Sequence, residues 1–261
     1  MKRINGHSLA GITRSPASML LVAASTILLP FILAGYTGNP LWLSVTTAPY
    51  LAYVVCRYSS RCLAYYRSLW PWSWASALGL AIVALTLTVA TFVIVAIVLP
   101  APLRDWSLGT LFHIGTLSGR NAATVPLAYP ALAALYAPPL LLALPLLAWM
   151  EEEIFRRGTT TWVGGFMRSV MFGLVHLTAG VSVGVCLALS GAGLVFTYAY
   201  LRALDDKGAV ERLERLPSWA LVALFPQPPR AKDYAVFRAT QVHLTYNAFA
   251  IIVAVLVLVM H

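Results

Sequence analysis

The sequence predicts an all-α polytopic membrane protein with about seven transmembrane helices, and three observations carry that reading. Of its 261 residues, 60% are hydrophobic and only 10% charged, with a mean hydropathy of +0.79. A soluble domain would carry about a quarter charged residues. Apolar stretches long enough to cross a bilayer, or nearly so, recur along the chain. They are apolar all round, where barrel strands would alternate, so they read as helices.

The spans fall roughly at 16–36, 41–56, 73–99, 128–162, 169–184, 186–203 and 237–260. The first follows Lys2, Arg3 and Arg14 like a signal peptide. It is long for a cleaved segment and no small-x-small site follows, so it is expected to be an uncleaved anchor. The second is short and contains Pro49, and the third is a clean apolar run. The fourth ends in a charged block, before the glycine pair Gly164-Gly165. The fifth and sixth are barely separated, with a turn near Gly180 to Gly184. The stretch from Leu204 to Asp233 reads either as a short interfacial helix around Val210, Leu213 and Leu216, or as a solvated loop ending at Pro226, Pro228 and Pro229. No repeat is evident, and the chain divides into an N-terminal membrane region with three spans, 1–127, and a core of four, 128–261.

Loop charge sets the expected orientation. Arg57, Arg61 and Arg67 follow the second span, and Arg202, Lys207, Arg212, Arg215, Arg230, Lys232 and Arg238 cluster before the last. With seven spans these share one side with the basic N-terminus, leaving Arg104 and Arg120 opposite. The chain is therefore expected in the plasma membrane, multi-pass, with its N-terminus cytoplasmic and its C-terminus outside. The net charge of +9 is spread between spans and forms no stripe, which argues against nucleic acid as a partner. Cys56, Cys62 and Cys186 show no metal or disulfide spacing and read as packing residues.

Chemistry concentrates in the core. Glu151, Glu152, Glu153, Arg156 and Arg157 close an apolar run, and ionisable groups beside a bilayer need partners. Glu152–Arg156 and Glu153–Arg157 are both spaced i,i+4. Pro145, seven residues before Glu152, can kink the helix and free a carbonyl. His176 lies eight residues beyond Arg168, and His243 five beyond Arg238. At about 1.5 Å per residue these sites and Glu152 fall at similar depths, roughly 8–18 Å from the cytoplasmic boundary. A glutamate and a histidine near one point can hold and deprotonate a water. His243 and Asn247, one turn apart on one face, offer N–H donors to an oxyanion.

These residues resemble the CAAX-protease and bacteriocin-processing (CPBP, or Abi) intramembrane proteases, which include the Ras-converting CAAX endopeptidase. That family's pattern is Glu-Glu-xxx-Arg, then Phe-xxx-His, then His-xxx-Asn on successive core helices. Here it reads Glu152-Glu153…Arg157, Phe172…His176 and His243…Asn247, within about Leu140 to Ala250. The triple glutamate also admits the register Glu151-Glu152…Arg156. The resemblance implies that the first glutamate of the pair and His176 activate water. The second glutamate and the arginine would order the site, and His243 with Asn247 would stabilise the oxyanion. The last four spans would then be a catalytic core.

The expected function is an intramembrane endopeptidase hydrolysing a peptide bond near the cytoplasmic face, its partners being a peptide or membrane-protein substrate and the lipid bilayer. No obligatory cofactor is expected. Zinc is the alternative, on His176, His243 and Glu152, although the His-Glu-xx-His helix is missing. The competing functions are a proteolytically inactive scaffold or immunity-type partner, and a proton-coupled transporter.

Overall fold

The computed structural model describes residues 53, 56, 58–67, 74–106, 128–179, 181–225 and 227–260. The expected span 16–36, most of 41–56, and Arg120 lie outside them. Residues 58–67 are helical. They are followed by α1 (Trp74–Val98), α2 (Ala101–Arg104), α3 (Ala128–Phe155), α4 (Trp162–Val175), α5 (Val183–Leu204), α6 (Ala209–Glu214), α7 (Ser218–Leu224) and α8 (Ala231–Met260). A 3₁₀ turn, His176–Ala179, continues α4. The described residues are thus all-helical, with no strand among them. Two stretches, Ala75–Val98 and Val183–Leu204, are long and apolar enough to cross a bilayer. The remaining spans of the expected seven rest on length and sequence, several of them on stretches outside the described residues.

Two helix ends differ from expectation. The fourth span was expected to run to 162, but α3 stops at Phe155 and the chain turns at Gly158, whose φ of 84° suits glycine. Gly164-Gly165 therefore does not end α3; both glycines lie in the first turn of α4, and Thr161 caps them by accepting from the Gly164 N–H at 3.2 Å. Glu152 consequently sits three residues from its helix end, so its depth cannot be counted from that glycine pair. The fifth span was expected over 169–184, but α4 has 14 residues and ends at Val175, with His176 as its C-cap. At about 21 Å it is shorter than a roughly 30 Å hydrocarbon core.

Prolines interrupt α3 without breaking it. Pro145 carries no N–H, which leaves the Leu141 carbonyl without its helical donor. The Tyr66 hydroxyl donates to that carbonyl, tying residues 58–67 to α3. The other side of this contact is apolar: Cys62 packs with Ala143 and Leu146.

The core is built around α5. In its apolar window 61% of residues are buried, against 17% in α1, so α5 is central and α1 peripheral. Gly191 lets α1 approach at Thr91 and Leu87, and Gly184 faces Arg104 in α2, just past the end of α1, so α1 and α5 run antiparallel. α4 also crosses α5 antiparallel: Gly165 meets Thr197, and Gly173 meets Cys186 and Ser190. Small residues permit this approach where backbone groups come together. Gly173→Val is expected to destabilise by about 1–3 kcal/mol, because its side chain would enter the backbone of α5. Thermal unfolding in detergent measures it, and an unchanged midpoint would contradict the close crossing.

α8 runs antiparallel to α3, with Leu244 against Leu144 and Ala148, and parallel to α1, with Tyr246 at 3.2 Å from Thr88 and Arg238 at 2.7 Å from Ser76. The starts of α1, α4 and α8 and the ends of α3 and α5 therefore share one end of the bundle. That end gathers Arg157, Arg168, Arg202, Asp233 and Arg238, while Arg104 and Asp105 stand at the other. The Leu204–Asp233 connection covers the charged end with α6 and α7, which bury Leu213, Ala220 and Leu224. Of the two expectations for this stretch it is helical, with two short helices in place of one. Cys62 and Cys186 are buried as expected of packing residues, whereas Cys56 is exposed.

Candidate functional site

The charged block ends α3 where that helix packs on α8, and successive residues there point in different directions. Glu152 and Arg156 are fully buried, and Glu152 Oε2 lies 3.5 Å from Arg156 Nε. The other carboxylate oxygen of Glu152 accepts from or faces His243 Nδ1 at 2.8 Å. Glu151 is about a third exposed, and its Oε2 lies 3.3 Å from His243 Nε2. Both ring nitrogens of His243 thus meet a carboxylate.

Arg156 has left the helix and turns inward. Its Nη2 donates to the Gly193 carbonyl on α5 at 3.1 Å. A side chain at Gly193 would crowd that nitrogen, Phe172 and Ser169, so glycine here makes the guanidinium's room as well as accepting from it. The guanidinium also lies over the Phe172 ring, 4.6 Å from its centroid. Among the described residues Arg156 Nε and Nη1 and Glu152 Oε2 have no hydrogen-bond partner, and the ion pair between the two side chains compensates them.

Aromatic rings complete the surroundings. Phe196 stacks on His243 at 4.3 Å, and Phe172 meets it edge-on at 5.4 Å. Phe172 also meets His176, with ring centroids 5.0 Å apart, so one phenyl ring touches both histidines. His176 is half-buried at the end of α4, where its Nδ1 lies 2.8 Å from the Phe172 carbonyl, leaving Nε2 directed away from the helix. Asn247 is half-buried one turn beyond His243.

Glu153 and Arg157 lie elsewhere. They form an ion pair with each other, and Arg157 Nη2 donates to Asp233 Oδ1 at 2.7 Å. Of the two registers in the sequence, the side chains gathered at His243 are those of Glu151, Glu152 and Arg156. Glu153 and Arg157 are not brought to it.

Sequence reasoning missed Phe196, Gly193 and Asp233. Asp233 carried a readable signal, as the acidic residue of the first turn before the last apolar stretch. Phe196 and Gly193 carried none, being two more apolar or small residues in an apolar helix.

Among the described residues no three His, Cys, Asp or Glu side chains are placed to hold a metal ion. His243 turns both nitrogens to carboxylates, and Phe172 touches both histidine rings. No family model, no curated protein and no solved structure matches the chain.

Proposed function

We propose that this chain is a multi-pass intramembrane endopeptidase that hydrolyses a peptide bond near the cytoplasmic face with a glutamate-activated water. The observation that carries the reading is the buried Glu152–Arg156–His243 cluster with the partly exposed Glu151 at its edge. A carboxylate that only positions can be sealed, whereas one that takes a proton from water must reach water. Glu152 has the first property and Glu151 the second. The resemblance to CPBP proteases supports the same division, in the register Glu151-Glu152…Arg156.

In the proposed reaction Glu151, aided by His176, holds a water and takes its proton. The resulting hydroxide adds to the carbonyl carbon. N–H donors on His243 and Asn247 receive the oxyanion, His243 through the Nε2 that now faces Glu151. The tetrahedral intermediate collapses as the C–N bond breaks, and the Glu151 proton passes to the leaving amine nitrogen. The substrate is a peptide or membrane-protein segment, and no cofactor is assigned.

Expected outcomes test this. His176→Ala should abolish turnover while leaving the fold intact, because the half-buried ring touches mainly Phe172. Asn247→Ala should retain a residue of activity, since one lost oxyanion donor lowers the rate about 10²–10³-fold. The substrate is found by comparing membrane peptides from cells making wild-type or His176→Ala protein. Identical peptide pools would count against the enzyme.

The proposed orientation puts the charged bundle end in the cytoplasm. A cysteine at Asn121 should then be labelled from outside the cell, and labelling only from the cytoplasm would reverse the topology.

A scaffold remains the second reading, favoured by the way the cluster ties α3, α5 and α8 through Arg156, Gly193 and His243. Under it, substitutions at Glu152 and Arg156 would change stability and no peptide pool.

A further inference from the structure

The triple glutamate supplies two Glu–Arg pairs, and the outer one has no part in the proposed chemistry. We infer that Glu153, Arg157 and Asp233 form a latch that positions Glu152 against His243, with Asp233 as its positioning residue. The consequence for turnover rests on the peptidase reading; the latch itself does not.

The latch joins the two helix ends nearest the site. Arg157 follows the last turn of α3, and Asp233 lies in the first turn of α8, ten residues before His243. Asp233 works in two directions. Its Oδ1 accepts from Arg157 Nη2 at 2.7 Å, and its Oδ2 accepts from the Arg230 N–H at 2.8 Å, capping α8. Glu153 contributes a second carboxylate to Arg157.

The chain here depends on such ties because it is no longer helical. Beyond Phe155 the carbonyls have lost their helical donors. Arg168 Nη1 donates to the Arg157 carbonyl at 3.0 Å, and the Gly158 N–H donates to the Tyr200 hydroxyl at 3.2 Å. These contacts hold the elbow to α4 and α5. Arg157–Asp233 is the side-chain tie from the elbow to α8, the helix that carries His243. The Glu153, Arg157 and Asp233 side chains are 20%, 31% and 14% exposed, so water screens them only in part. Loosening this tie lets the end of α3 shift along α8, and the neighbouring Glu152 and Arg156 shift with it.

The test reads His243 directly, in the full chain in detergent, well below its unfolding temperature. Diethyl pyrocarbonate modifies accessible imidazole nitrogens, and mass spectrometry of the peptide containing residue 243 gives the rate. His243 is 1% exposed and should react slowly in the wild type. Asp233→Asn keeps the size and the cap acceptor but removes the charge facing Arg157. It should speed modification of His243 by at least about tenfold, the factor corresponding to one lost charge-assisted hydrogen bond. Maleimide labelling of the buried Cys186 serves as the reference for general loosening and should not change. Asp233→Glu should restore slow modification.

An unchanged His243 rate in Asp233→Asn overturns the latch. So does equal acceleration of His243 and Cys186, which would mean general unfolding and no positioning. Neither rate depends on proteolysis, so failure of the latch and failure of the peptidase reading are read separately.

Discussion

Arg156→Ala is expected to destabilise the protein by about 3–5 kcal/mol, the loss that follows when one partner of a buried ion pair is removed. Arg156 is fully buried, and so is its partner Glu152. Removing the guanidinium leaves a fully buried carboxylate with His243 as its remaining close partner. It also removes the hydrogen bond that Arg156 donates to the Gly193 carbonyl and empties the space over Phe172. Arg156→Lys should recover only part of the loss, because an ammonium cannot keep the planar contact with Phe172 while reaching Gly193. The informative comparison is Glu152→Gln with Arg156→Met. Removing both charges relieves the stranded one, so the double variant should be more stable than Arg156→Ala alone. Denaturant unfolding in detergent gives all three values. A double variant as unstable as Arg156→Ala would mean that charge pairing is not what holds the cluster.

Glu151→Gln should leave the fold intact and remove turnover, by about 10²–10⁴-fold if the carboxylate is the general base. Its side chain is a third exposed, so the exchange strands no buried charge. Glutamine keeps the size and can still face His243 Nε2, but it does not take a proton from water. Glu152→Gln differs in kind. It should lower activity and stability together, because Glu152 is the sealed partner of both Arg156 and His243. Peptide turnover and unfolding midpoints, measured on the same preparations, separate the two roles. If Glu151→Gln, Glu152→Gln and the double variant all cleave like the wild type, the glutamate-base mechanism is wrong.

The sequence alone determined the helical class and the neighbourhood of the site. A chain with 10% charged residues in long apolar runs must satisfy its backbone within helices. The expected spans 73–99 and 186–203 correspondingly fall within a few residues of α1 and α5. The glutamate block and the two histidines were legible too, since ionisable groups stand out against such a background.

Only the tertiary structure decided which glutamates meet His243. Glu152–Arg156 and Glu153–Arg157 have the same spacing, and neighbouring positions on a helix point about 100° apart. The rotation of α3 therefore chooses between them. Packing of Leu144 and Ala148 on Leu244 sets that rotation, turning Glu152 towards His243 while Arg157 finds Asp233. The end of α3 was equally hidden, because apolar residues resume at Trp162 and Val163 after a gap too short to mark a boundary by hydropathy. Its position follows from contacts remote in the chain: Arg156 reaching the Gly193 carbonyl, and Arg168 the carbonyls that α3 leaves open. A local pattern cannot encode such partners, since their distance along the chain carries no periodicity.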